Sequence, residues 1–556
     1  MNQNLFKRYA NFRNLYLLLL LVMAVSLPLS KYLTSAAQIL LVVTWLADRK
    51  FDEKWRRIKR SPQILIFTFL FLVPLLAMAY TKDIPFGLSD LRVKLPLFLL
   101  PLVLGSIKPL NNNEMRIILG GFVIAVFIGA LVSLSIMLGI GPAVYTNDRE
   151  TILFISHIRF ALMVVLAIFI LFYYAFDHQT PPRLNLILVP CALCLIIFLF
   201  LLKSLTGVVI LVIGGMLLTL RWGLKQSNFL VRWFVIVGLA TIPVLAGFYL
   251  DDQAGRFYTI RDNTGDLDLT TVKGNPYWHD TANLMIENGY HVGFYLCEPE
   301  LSDAWNSVSK MDYNGPDRKS QKLKYTLIRY LTSLGLRKDA YGVSQLKPED
   351  IKLIENGFAN CIYKHPKRFS VRIYETIWEI DQYRKGANPS GHSVTQRLEY
   401  LKTGWAIFRD HPLFGVGTGD TKMAFEQKYE QMHSPLDPAW RLRAHNQFLT
   451  FLIAFGVIGF ILIISAIILP VILEKRGNPY FIMMFFLVTM LSMLNEDTLE
   501  TQAGVVFFAI FYCLFVFADS SLPTTDNLHP PHPRPLSRAR SAHGRGERSG
   551  VTTDNR

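Results

Sequence analysis

Uninterrupted apolar blocks, each about as long as a membrane-crossing helix, recur along this chain and limit its folding more than any other feature. As a helix, an apolar run of roughly 20 residues spans a hydrocarbon core of about 30 Å. Twelve stretches qualify, near 15–30, 33–47, 62–80, 95–107, 117–138, 160–176, 184–202, 206–220, 233–249, 446–473, 479–494 and 503–518. A soluble chain of 556 residues would have roughly a quarter of them charged. Here the charged fraction is 18% and the hydrophobic fraction 51%. A soluble globular enzyme and a disordered scaffold are both excluded.

The placement of charge predicts the topology. Lys and Arg outnumber Asp and Glu by 57 to 42, a net charge of +15. The long segment 250–443 contributes almost nothing to that excess, with 26 basic residues against 25 acidic. The surplus sits in short loops instead. Lys7, Arg8 and Arg13 precede the first stretch, and seven basic residues run from Arg49 to Arg60. Arg221, Lys225 and Arg232 precede the ninth stretch, and Lys475 and Arg476 separate the tenth from the eleventh. All of these fall on one side of the membrane if the count is twelve, as the positive-inside rule requires. Both termini are then cytoplasmic and the long loop lies outside. The charge reports orientation, so it implies no nucleic-acid partner. The first block, with its basic start and small residues at Ser35–Ala37, has the layout of a signal peptide. Its long apolar core and the spans that follow at once favour an uncleaved anchor.

The expected organisation is nine spans over 1–249, a loop domain over 250–445, three spans over 446–518 and a tail over 519–556. The loop has helical periodicity. Leu323, Leu327, Tyr330, Leu331 and Leu334 form one stripe, Ile351, Ile354, Phe358 and Ile362 a second, and Leu398, Leu401, Trp405 and Phe408 a third. All three are expected to pack into a small helical core. The alternative for the basic 319–338 segment is a helix lying on the membrane surface. Cys297 and Cys361 both fall in this loop, and the sequence leaves open whether they pair. The tail is rich in Pro, Arg, His and Gly from His529 to Gly550. It is expected to be disordered and carries no site.

Signatures of soluble enzymes are absent: there is no phosphate-binding Gly-rich loop ending in Gly-Lys, no Gly-x-Ser-x-Gly elbow and no His-Glu-x-x-His. Asp266-Leu267-Asp268 has the spelling of an acidic metal-binding pair, but it lies in a polar stretch and reads as a solvated turn. Cations at the outer ends of the spans are more informative. Arg159 opens the sixth, Lys203 lies in the turn after the seventh, Arg256 and Arg261 follow the ninth, and Arg441, Arg443 and His445 open the tenth. Charged groups at such a depth are costly, so several converging on one face suggest a shared anion. Ser393 and Gln396 have capping-box spacing, which would start a helix with Arg397 in its first turn, where free amides favour an anion.

The run Arg397-Leu398-Glu399-Tyr400, the segment Ala406–Gly419 containing Pro412-Leu413-Phe414-Gly415-Val416-Gly417, and His445-Asn446-Gln447-Phe448-Leu449 together resemble the O-antigen ligase and polymerase superfamily of bacterial envelopes. The resemblance implies an all-α polytopic membrane protein of about twelve transmembrane helices with one large, mainly helical periplasmic loop, similar to GT-C membrane glycosyltransferases. It implies transfer of a glycan from undecaprenyl diphosphate to the lipid A–core oligosaccharide, or to another glycan acceptor, at the periplasmic face of the inner membrane, without metal or other cofactor. Arg397 and His445 match the family's essential residues by motif. Arg256 is the best candidate for a further catalytic arginine, with Arg261 beside it, and Arg159, Lys203, Arg261 and Arg441 are candidates for substrate binding. His445 is either a general base or a diphosphate-positioning group. O-antigen polymerase and protein O-oligosaccharyltransferase activities fit the same motifs. A secondary transporter fits poorly, because no internal repeat is present and a loop of this size has no role there.

Overall fold

The computed structural model describes residues 12–140, 155–177, 179–202, 204–262, 267–283, 285–364, 369–474 and 477–518. It is a helical membrane protein. The first part contains α1 (Phe12–Ser26), α2 (Lys31–Ala47), α3 (Phe51–Arg60), α4 (Gln63–Phe67), α5 (Phe69–Ala77), α6 (Ile84–Lys94), α7 (Pro96–Ser106), α8 (Asn112–Met137), α9 (His157–Phe176), α10 (Pro182–Leu201), α11 (Leu205–Leu224) and α12 (Phe229–Tyr258). Six helices among the described residues are long and apolar enough to cross a membrane: α8 to α12, and Gln447–Leu473 described below. Every one of the twelve apolar stretches coincides with helix. Polar residues cap several of the long spans: Asn111 and Glu114 form a reciprocal capping box on α8, and Ser204 and Asn228 cap α11 and α12.

Among its described residues the intervening segment holds a two-stranded hairpin, β1 (Ile286–Glu287) with β2 (Tyr290–His291), and seven α-helices. These are α13 (Glu298–Val308), α14 (Leu323–Ser333), α15 (Ala340–Ser344), α16 (Pro348–Glu355), α17 (Phe369–Arg384), α18 (Thr395–Asp410) and α19 (Thr421–Gln431). The chain then returns to the bundle with α20 (Gln447–Leu473), α21 (Pro479–Met493) and α22 (Gln502–Tyr512), whose last turns to Ala518 widen into a π-helix.

The first expected stripe and the Ile351–Ile354 half of the second form a core of their own. Leu323, Leu327, Tyr330, Leu331 and Ile354 are buried together with Trp305 and Tyr313. The basic residues of the α14 segment are engaged within the loop domain: Lys324 pairs with Glu298 at 3.0 Å, Arg329 with Glu287 at 2.6 Å, and Lys319 lies 3.8 Å over the Phe358 ring. The third stripe departs from expectation. The buried side of α18 is Tyr400, Thr403, Gly404 and Ile407, whereas Leu398, Leu401 and Trp405 are exposed. The stripe was legible as helix, but the face with no protein cover is the apolar one. Cys297 and Cys361 are free thiols.

Candidate active site

The Pro412–Gly417 segment is built into a break in α20. Gly456 leaves the helix with φ 63° and ψ −169°, so the turns on either side lose hydrogen-bond partners. The segment supplies them. Val416 and Gly417 donate to the carbonyls of Ile453 and Ala454, both at 2.9 Å, and the amides of Val457 and Ile458 donate to Pro412 and Leu413 at 2.8 and 3.3 Å. Irregular backbone is tolerated at membrane depth only where protein satisfies it, as here. Two backbones in such contact leave no room for a side chain: a Cβ on Gly415 would collide with Ala454, and one on Gly456 with Leu413. On its other side the segment is pinned to α5 and the turn beyond it. The Thr418 hydroxyl donates to the Pro74 carbonyl at 2.6 Å, Tyr80 donates to the Phe414 carbonyl at 2.7 Å, and the Asp420 carboxylate accepts from the amides of Lys82 and Asp83 at 2.9 and 2.8 Å.

This anchoring places α18 beside the first turns of α20, and with it Arg397 beside His445. Both face one carboxylate. Arg397 reaches Glu496 Oε1 at 3.2 Å, and His445 Nδ1 lies 3.8 Å from Glu496 Oε2. His445 sits at φ +49°, a strained value for a residue with a side chain, and its Nδ1 is buried without a hydrogen bond. Strain and an orphaned polar atom together cost a few kcal/mol and are the mark of functional positions. The Tyr400 ring packs 5.5 Å from the imidazole. Burial raises the Tyr400 pKa, and its hydroxyl donates to the Trp440 carbonyl at 2.8 Å. Arg159, in the first turn of α9, interacts electrostatically with Glu496 and Asp497 and keeps a buried Nε without a partner.

The carboxylates come from the Leu494–Glu500 turn, and the His445-Asn446-Gln447 motif clamps it residue by residue. His445 faces Glu496. Asn446 caps α20 through Leu449 and donates to the Leu494 carbonyl at 3.0 Å. Gln447 accepts from the Leu499 amide at 2.7 Å and donates to Glu500 at 3.0 Å. One turn further, Thr450 donates to Asp497 at 2.7 Å. Behind this turn lies a charge cluster. Glu500 meets Lys94 at 3.0 Å and Arg443 at 3.3 Å, and Lys94 also meets Asp90 at 2.6 Å. Glu496, Asp497, Glu500, Asp90 and Lys94 escaped the sequence reading. The available signal was three carboxylates within five residues between two apolar stretches.

The other expected residues fall as follows. Arg441 braces its own loop, donating to the Leu436 carbonyl at 3.1 Å. Arg256 ends α12, is exposed and pairs with Asp252 at 2.9 Å. With Arg261 it lines a cavity of about 270 Å³ that also includes Asn288, Tyr290 and Tyr374. Among the described residues no hydrogen bond or ion pair joins either arginine to Arg397 or His445. Lys203 and Asp266 lie outside the described residues; Asp268 pairs with Arg337. The Ser393 capping box does not form. The helix begins at Thr395, Ser393 accepts from Arg372 at 2.7 Å, and the Val394 amide is taken by Glu379 at 3.0 Å. Among the described residues no group of three or more His, Cys, Asp or Glu is arranged to hold a metal ion.

No curated protein matches the chain. The family model described as O-antigen ligase matches residues 362–464, a span that begins just before α17 and includes Arg397, the segment built into α20, and His445. Over those residues the chain carries a domain of the O-antigen ligase and polymerase superfamily.

Proposed function

We propose that the protein is an O-antigen ligase-type glycosyltransferase. It would move a glycan from undecaprenyl diphosphate to a hydroxyl of the lipid A–core oligosaccharide at the periplasmic face of the inner membrane, using no metal. In this reading residues 1–249 and 446–518 form the spanning bundle, 250–445 the periplasmic domain and 519–556 a cytoplasmic tail. The observation that carries it is that Arg397 and His445 share one carboxylate, Glu496, while the buried Nδ1 of His445 and the buried Nε of Arg159 lack a hydrogen-bond partner. Glu496 Oε1 occupies a position on Arg397 that suits a phosphate oxygen. When the donor's diphosphate takes the guanidinium, Glu496 remains with His445.

The chemistry then needs only these groups. The acceptor oxygen attacks the anomeric carbon, the carbon–oxygen bond to the diphosphate breaks, and the acceptor's proton passes to His445. Glu496 stabilises the imidazolium, and the departing diphosphate keeps the bonding electrons. A cation about 4 Å from the charge that grows on the leaving oxygen is worth on the order of 4 kcal/mol at an effective dielectric near 20. Preorganised arginines can lower the barrier in this way, and a positioned general base adds about 10²–10⁴-fold. Arg256 is kept as a further catalytic arginine, and Arg159, Lys203, Arg261 and Arg441 as groups that bind the substrate. Reconstituted protein supplied with lipid-linked glycan and core acceptor tests the reading. Ligated product is expected, and carrier-linked chain growth without acceptor modification would point to a polymerase instead.

A further inference from the structure

The exposed side of α18 is an apolar stripe that no part of the described protein covers. Leu398, Leu401 and Trp405 are 44%, 38% and 53% exposed, and Leu413 and Phe414 just beyond the helix 58% and 60%. Elsewhere in the loop domain, stripes of this kind are buried. The opposite side of α18 packs on α20, where Gly404 lets Leu449 and Ile453 approach closely.

The hydrogen bonds across the break in α20 place the helix in depth. α20 has 27 residues, about 40 Å of rise, which exceeds a hydrocarbon core of about 30 Å. Seventeen residues separate Gly456 from Leu473, or about 26 Å, so Gly456 lies near the outer edge of that core. Leu413 is hydrogen-bonded at this level, and its exposed neighbours on α20, Ile458 and Ile461, belong to the lipid-facing side of that helix. The α18 stripe therefore continues a lipid-facing surface. It includes an indole, which favours the head-group layer, and exposed Lys402 and Arg409 flank it, with stems long enough to reach lipid phosphates.

We infer that α18 is an interfacial helix, its Leu398–Leu401–Trp405 face immersed in the outer part of the bilayer, which holds Arg397 at the level of lipid phosphates. The inference rests on the topology proposed above and not on the reaction. Its test is a fluorophore on single cysteines at Leu401, Trp405 and Phe414, and at exposed Lys352 as control, in a background without the five native cysteines. The protein is reconstituted into phosphatidylethanolamine–phosphatidylglycerol nanodiscs. Lipids labelled with a nitroxide near the head group should quench the first three positions at least twofold while aqueous iodide does not, with the reverse at Lys352. Quenching by iodide at 401 and 405, or by neither agent, would overturn the inference, the latter result indicating cover by a second copy of the chain. Should the cysteine-free background fail to fold, Trp405→Phe in the otherwise native chain serves. It should remove part of the lipid-quenchable tryptophan emission; an unchanged lipid-quenchable fraction also overturns the inference.

Discussion

The Leu413 carbonyl lies where a side chain on Gly456 would have to go. Gly456 also has a backbone conformation, φ 63°, that side chains disfavour. Gly456→Ala is therefore expected to cost about 2 kcal/mol or more, combining a backbone clash with left-handed strain. Gly120→Ala, where a Cβ meets nothing within 4 Å, should be nearly silent. Thermal unfolding in detergent, followed by size-exclusion fluorescence, checks the contrast.

Arg397→Ala and His445→Ala should each lower glycan transfer by about 100-fold or more. Arg397→Lys should not restore it, because an ammonium lacks the two-pronged grip of a guanidinium. Glu496→Gln should reduce kcat while leaving the donor KM within a few fold. Membrane insertion should be unaffected, since partly exposed ion pairs contribute little to stability. Full lipopolysaccharide modification by any of these variants in cells would remove that residue from the proposed mechanism.

Lys94 is 3% exposed and serves both Asp90 and Glu500. Removing one partner of a buried ionic cluster costs about 3–5 kcal/mol. Lys94→Met should therefore lower the unfolding temperature markedly, and adding Asp90→Asn should recover part of the loss. A double-mutant cycle on thermal unfolding measures the coupling.

Lys338 is buried in the loop domain, and burial pushes its pKa down to about 8 against the pull of Asp262 and Asp339. In the unfolded chain the amine titrates near 10.5. Between these values the unfolded chain holds more protons, so stability rises with pH through this window, and the burial penalty is present in full below pH 8. The difference amounts to about 3 kcal/mol. Loop-domain unfolding should move to higher temperature between about pH 7.5 and pH 9.5, and Lys338→Met should flatten that dependence.

Because Asp268 is held by Arg337, chelators should leave purified activity unchanged, and so should Asp268→Ala. Inhibition by chelation that Mg²⁺ reverses would return Asp266 and Asp268 to the reaction.

What the sequence made legible follows the strength of the physical signal. Apolar stretches and the Leu323 and Ile354 stripes were readable because desolvation dominates local preference, and helices formed there. The α18 stripe misled for the same reason: periodicity shows that a face is apolar without saying whether protein or lipid covers it. The motif singled out Arg397 and His445, which the structure brings to one carboxylate. Glu496 was not, because an acidic turn resembles any solvated loop until His445, Asn446 and Gln447 are seen to grip it. The glycines of 415–419 were readable only as part of the motif that carries the resemblance. Their actual use, as narrow backbone wedged against a broken helix, depends on Gly456 some forty residues away and has no local signature.

That wedge has a mechanical outcome. The arm bearing the guanidinium and the span bearing the imidazole are stitched by four main-chain bonds, so they travel as a single strut. The hairpin and the helices packed around Trp305 lie outside this seam and reach it through α17, whose Tyr374 donates to Glu287 at 2.9 Å and whose Glu379 accepts from the Val394 amide at 3.0 Å. The spacing between Arg397 and His445 is therefore set within the seam.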